Sequence, residues 1–497
     1  MRTPITRAHA GCLVLWLAVA TVSANQVDRR LVDAAKAQDH AAVEALVDQQ
    51  VDVNVAALDG ATALHWATYW NALDMVDLLI DAGADLDATN DYGLTPLALA
   101  CDNGSGAMVT RLLAAGADPA AARSTDETPL MTCARTGALD AVTALLDRGV
   151  DVNAAESWHG QTALMWAAGE RHPAVARVLV DRGADVHARS SGGYTALLIA
   201  ARVDEPELAR LLIAAGADVN DTAPDGLTPL LVATVRGHAA LAIAFLEQGA
   251  DPNADGTGYT ALHWAAGSWH TELTGRLQGI ATDADEEWRS LNGLGTGKLA
   301  LVEALLAHGA DPRARLARTP PQFGYASGRF RVSLVGATPF LLAAMDANVD
   351  VMRALAASGA DPLSATDEGT TTLMVAAGLG QVPAETRVTE QGAREAVRYV
   401  LGLGTEVNAV NEIGRSALHG AAHIRSNAIV QLLVDHGAQV NVADQRGITP
   451  LMIAEGGGHI LLPGLGGGST AELLRALGSD ETVPASSVDI YSRGVIR

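Results

Sequence analysis

Over most of its length the chain alternates between short apolar stripes at helical spacing and short polar stretches containing glycine. One stretch shows the unit. After Thr62, the residues Leu64, Trp66 and Ala67 form an inward stripe. Asn71 marks a break, and Met75, Val76, Leu78 and Leu79 form a second stripe. Gly83 follows, and the polar, turn-rich residues 84–93 lead to the next unit. Thr is a good helix N-cap, and Pro after it, as at Pro96, suits the first turn. Gly83 suits a left-handed C-cap, and the polar stretch reads as a hairpin-like connector. Each unit thus predicts two short helices that cannot bury both faces alone. Stacked neighbours supply the missing core.

The unit recurs. The Thr of Thr-(Ala/Pro)-Leu stands at 62, 95, 128, 162, 195, 228, 260, 338, 371 and 449, with Ser416 as a variant and Phe340 replacing one Leu. Spacings are 33 or 34 residues except for 32, 78 and 45 at three places. Gly-Ala-Asp or a near relative starts at Gly83, Gly116, Gly149, Gly183, Gly216, Gly249, Gly309, Gly359, Gly404, Gly437 and Gly478. The segments TALHWA (62–67), TPLALA (95–100), TALHWAA (260–266) and TPLMIA (449–454) resemble the T-P-L-H-x-A motif of the ankyrin repeat family. The likeness covers roughly 27–480 and further resembles long, signal-bearing bacterial ankyrin proteins of unestablished role. It implies an all-α fold, an α-solenoid of about twelve ankyrin repeats with β-hairpin connectors. Residues 25–58 read as an N-terminal capping repeat, 59–480 as the solenoid and 481–497 as a tail. The resemblance also implies that inner-helix ends and hairpin tips line a concave face that contacts partners.

Four segments interrupt the period, near 271–297, 312–336, 379–393 and 456–468. Three fall at the same helix–helix loop position. The segment 312–336 holds Arg313, Arg315, Arg318, Arg329 and Arg331 with no acid, together with Phe323, Tyr325 and Phe330. Arg and aromatic residues are enriched in binding hot spots. The segment is expected either to present a partner surface or to fold back onto the acidic repeats and clamp them.

Composition narrows the functional classes. Net charge is −23, with 34 basic residues of which only Lys36 and Lys298 are lysines. Such a surface repels phosphate backbones, which excludes nucleic acid as a general partner, and favours a basic protein. Residues 1–24 carry Arg2 and Arg7, an apolar run from Cys12 to Val22 and Val22-Ser23-Ala24. They read as a signal peptide, with an uncleaved anchor as the alternative. The expected destination is the periplasm or the exterior, with no membrane insertion after cleavage.

Exposed aromatics are the first site candidates. Tyr69, Trp70 and Trp269 lie at inner-helix ends, and Trp158 with His159 lies in a hairpin tip. Arg315, Arg318, Phe323, Tyr325, Arg329 and Phe330 complete the partner-binding set. Trp66, Trp166 and Trp264 occupy a core position of the motif, and His65, His263 and His419 are expected to bond to the neighbouring repeat. Asp251-Pro-Asn253 lacks the acid that completes a calcium loop. Residues 293–298 lack the flanking residues of a phosphate loop. His419 and His423 lack a third metal ligand. No cofactor, metal or catalytic constellation is therefore expected. Cys101 and Cys133, at nearly equivalent positions in adjacent repeats, are expected about 10 Å apart as buried thiols.

The expected function is an exported, non-enzymatic scaffold or adaptor acting through its concave face and insertions. The alternatives are a secreted effector binding a host protein, an enzyme whose site is built in the insertions and a purely structural envelope protein.

Overall fold

The computed structural model describes residues 28–267, 297–318, 332–381, 388–456 and 469–480. It is all-α, with 24 helices among the described residues, arranged as twelve pairs. The chain divides into two compact units after Ser124.

The first unit holds three pairs: Arg30–Lys36 with His40–Asp48, Ala63–Tyr69 with Leu73–Asp81, and Pro96–Asp102 with Gly106–Ala115. The inner helices, first of each pair, pack in succession, and Leu64, Ala67, Leu97 and Ala100 are fully buried between them. Alanine at these positions lets short helices approach closely. The second unit repeats the scheme nine times, from Pro129–Arg135 with Leu139–Asp147 to Pro450–Ala454 with Ser469–Ala476. Inner packs on inner and outer on outer along it. The connectors are tighter than hairpins. Among the described residues they carry only the isolated antiparallel bridges Ala56–Thr62, Ala155–Thr162 and Ala365–Thr371. A side-chain-closed turn fills the space between, leaving room for one ladder step.

The repeated threonines cap their helices. Thr95, Thr162, Thr195, Thr228 and Thr338, among others, accept the N–H three residues on. Where the motif carries His, the ring joins two layers. The Thr260 N–H donates to Nδ1 of His263 at 3.2 Å, so Nε2 carries the proton and donates to the Ala314 carbonyl at 3.0 Å. His65 reaches Leu94 and His419 reaches Ile448 in the same way. His423 is buried with Nε2 on the Gln381 carbonyl, so the His419–His423 pair is spent on the fold.

A second bond between layers comes from an asparagine of the connectors, in Asp-x-Asn at four places and after Glu406 and Gln439 at Asn408 and Asn441. Asn253 donates through Nδ2 to the Gly309 carbonyl at 2.9 Å and accepts the Asp311 N–H at 2.7 Å. Asn54, Asn153, Asn220, Asn408 and Asn441 each do the same for the layer that follows. Asp251 holds the Asn253 N–H at 2.9 Å, so the calcium-like Asp-x-Asn is a structural clamp. Arg313 takes the Asn position in its repeat and donates to the Gly359 carbonyl at 2.8 Å. Leu363 stands there in the next repeat and is 56% exposed.

The interrupting segments are partly built into the fold. Leu316 and Leu334 are buried, and Leu316 exchanges backbone bonds with Ala337 and Gly336, so both ends of 312–336 belong to the stack. Within 379–393, Thr389 caps a 13-residue helix, Glu390–Gly402, which takes over the last four residues of that segment. Lys298 donates to the Gly267 carbonyl at 2.7 Å and pairs with Asp346, stapling the two ends of the segment near 271–297. The cysteines depart from expectation. Cys101 and Cys133 are both buried and are both disulfide cysteines, not free thiols.

Two outcomes follow from these bonds. Leu363→Asn keeps the Asp361 turn that already holds its N–H at 3.0 Å. It should add a clamp worth about 1 kcal/mol and raise the melting temperature, whereas Asn253→Ala should lower it. Burial pushes His263 and His419 down to about 4, against the pull of their carbonyl acceptors. Each stays neutral in the fold while the unfolded chain protonates near 6.5. Stability is therefore full above pH 6.5 and falls below it by about 1.4 kcal/mol per pH unit per histidine. Thermal melts from pH 7 to 5 should show this slope, and His263→Gln should reduce it.

Candidate functional site

The most distinct surface feature of the second unit is the tip at 156–161. Tips elsewhere close on a short side chain: Asp444, for example, accepts the N–H groups of Arg446 and Ile448. The tip before Thr162 follows the single 34-residue spacing and is one residue longer. Glu156 replaces the shorter acceptor and spans the difference. Its carboxylate accepts the N–H groups of Trp158 at 2.6 Å and of His159 and Gln161 at 2.9 Å. Glu156 is 5% exposed. Burial alone would raise its pKa, but these N–H donors hold it below the usual carboxylate range.

The neighbouring tips brace it from both sides. Ser157 donates its N–H to the Thr125 carbonyl at 2.8 Å and its hydroxyl at 2.9 Å, and the Ser191 N–H donates to the His159 carbonyl at 2.6 Å. Gly160 takes φ +65°, and a Cβ there would meet Ser191 at 2.9 Å. On this frame Trp158 is 76% exposed, with the His159 ring stacked on it at 4.7 Å and 19°. A large apolar ring thus stands in water on a braced backbone, where binding has little main chain left to order.

In the first unit, Tyr69 ends the helix Ala63–Tyr69 and Trp70 is its C-cap residue. The Trp66–Tyr69 and Tyr69–Trp70 rings meet edge to face at 5.8 and 4.8 Å. The Trp70 Nε1–H donates to the Lys36 carbonyl at 3.2 Å, and Asn103 ties down the Thr68 and Tyr69 carbonyls. Lys36 lies over the Trp66 ring at 4.7 Å. Tyr69 and Trp70 remain 50% and 41% exposed. Of the three tryptophans placed in the core by the motif, Trp264 is buried; Trp66 and Trp166 are half-buried, each under a cation.

Two of the three described arginines of 312–336 serve the chain itself. Arg315 donates to the Asp367 carboxylate at 2.8 Å and the Ala365 carbonyl at 3.1 Å, and Arg313 clamps Gly359. Arg318 is exposed, with its N–H on the Gly258 carbonyl. Trp269, Phe323, Tyr325, Arg329 and Phe330 lie outside the described residues. No His/Cys/Asp/Glu group suited to a metal occurs among the described residues, and no helix among them is long and apolar enough to cross a membrane. Sequence reasoning missed Glu156 as the frame of the Trp158 tip; its signal was the single 34-residue spacing.

A family model for ankyrin repeats matches residues 31–123, 107–190, 155–223, 197–278 and 386–462. Rabankyrin-5 of Homo sapiens is 39% identical over 64 residues, 13% of this chain and 6% of that protein. The B-cell lymphoma 3 protein homolog of Mus musculus is 33% identical over 152 residues, 25% of this chain and 34% of that protein. The chain thus spans about a third or less of these relatives. The solved ankyrin repeat domain of human ASB11 aligns at TM-score 0.40 and 25% identity, covering 45% of this chain and 98% of that one.

Glu156→Ala should leave three N–H groups without their acceptor and cost about 2–3 kcal/mol, with amide exchange speeding up at residues 157–161. Trp158→Ala should leave stability within about 0.5 kcal/mol, because its ring is mostly in solvent. Thermal melts and hydrogen exchange check both.

Proposed function

The chain belongs to the ankyrin repeat family, and on that premise we propose that it is an exported scaffold that binds a protein partner through preorganised tips and inner-helix ends. Ankyrin repeats generally mediate protein–protein interaction, and the fold is typically a non-catalytic scaffold. The observation that carries the reading is Trp158, 76% exposed on a tip whose backbone is bonded on every side. Exposed aromatic anchors on rigid frames are the side chains that dominate interface energetics. Export is supported by the signal-like pattern of residues 1–24 and by the disulfide state of Cys101 and Cys133, since disulfides persist in oxidising compartments. The acidic surface favours a basic partner and faster encounter at low salt.

Capture from the exported fraction of the source cells tests the binding role. Wild-type chain should retain a partner that Trp158→Ala retains about 10- to 30-fold more weakly. Identical capture by both would remove Trp158 from the interface. The compartment is tested by thiol labelling. Denatured chain isolated without reductant should take no label at Cys101 or Cys133, and both should label after reduction. Free thiols in the isolated chain would sink the export reading.

A further inference from the structure

We propose that the edge-stacked pair Tyr69–Trp70 receives a lysine or arginine side chain from a basic segment of a protein partner. This rests on the scaffold reading and names the chemistry recognised at one surface of the first unit. The rings are held in place: Tyr69 meets Trp66 and Trp70 edge to face, and the Trp70 indole is anchored on the Lys36 carbonyl. That bond uses the Trp70 N–H, so what Trp70 offers a ligand is π surface. A ring face attracts a cation and gives an anion no advantage.

The chain uses the same contact internally. Lys36 lies 4.7 Å over Trp66, Arg135 5.7 Å over Trp166 and Arg353 5.8 Å over Tyr399. Tyr69 and Trp70 are half-exposed rings of the same kind with no cation of the chain placed over them among the described residues. The charge of their unit favours one. Described residues 28–124 carry fifteen carboxylates and five basic side chains. Arg30, Arg111 and Arg123 are paired with Asp28, Asp77 and Asp102, and Lys36 is on Trp66. The unit therefore presents a negative field that draws a cationic segment, and the aromatic pair gives one of its side chains a fixed seat.

The test uses the full chain and a capped Gly-Arg-Gly-Arg-Gly-Arg-Gly peptide, with citrulline in place of arginine as the uncharged control. Affinities are measured at 150 mM salt, where unspecific attraction is weak. The preference of wild type for arginine over citrulline should exceed that of Tyr69→Leu/Trp70→Leu about three- to tenfold. The leucines keep apolar bulk but remove the rings, and circular dichroism checks that the variant folds. If it does not, proton NMR of the peptide with wild type decides: arginine δ-methylene signals should move upfield by ring current. An unchanged preference in a folded variant, or the absence of an upfield shift, overturns the proposal. A negative result leaves Trp158-dependent capture standing, and loss of that capture leaves this preference intact, so the two readings fail separately.

Discussion

No helix pair in this protein can bury its own apolar faces, so each layer depends on bonds that set its position against the next. Two kinds recur. A motif histidine reaches a carbonyl of the following connector, and a connector asparagine grips both the carbonyl of the glycine just past the next C-cap and the N–H two residues beyond it. Both join groups that would otherwise be left unpaired between layers, and an unmade backbone bond there costs more than a made one contributes. The apolar stripes give cohesion without direction, and these polar contacts supply the register.

That division of labour explains where variation is tolerated. The tip before Thr162 can lengthen by a residue because Glu156 closes it and Thr125 and Ser191 brace it. Arg313 can replace an asparagine because it still reaches a glycine carbonyl. Leu363 makes no such contact and is left largely in solvent. In the first unit, Trp70 spends its polar atom on the backbone, which fixes the ring and leaves its surface open.

Much of the fold was legible in the chain because its signals are local. A capping Thr, a Pro in the first turn and a Gly in the left-handed region each act within a few residues, and their 33-residue recurrence marks the helix pairs. The histidine bond was legible through the family motif. The asparagine clamp was not, since its partner lies 29 or more residues away and Asp-x-Asn alone looks like an ordinary turn. Exposure of Tyr69, Trp70 and Trp158 followed from their places in the repeat, but the frame around Trp158 needed the geometry of three adjacent tips. The arginines of 312–336 read as a single cluster, whereas Arg313 and Arg315 are spent on the next repeat. Cys101 and Cys133 read as buried thiols and are disulfide cysteines, a state that no local signal in the chain marks.

The clamp also bears on how such a chain can grow over evolutionary time. Asn54 reaches its glycine carbonyl across 29 residues and Asn253 across 56, with the same bonding atoms. The added residues enter between the two helices of a repeat, a position that neither bonding group occupies. Chain can accumulate there without moving donor or acceptor, much as a new page can be bound into a book away from its stitching. Mutation can thus try out new surface at that position while the register of the layers is inherited unchanged.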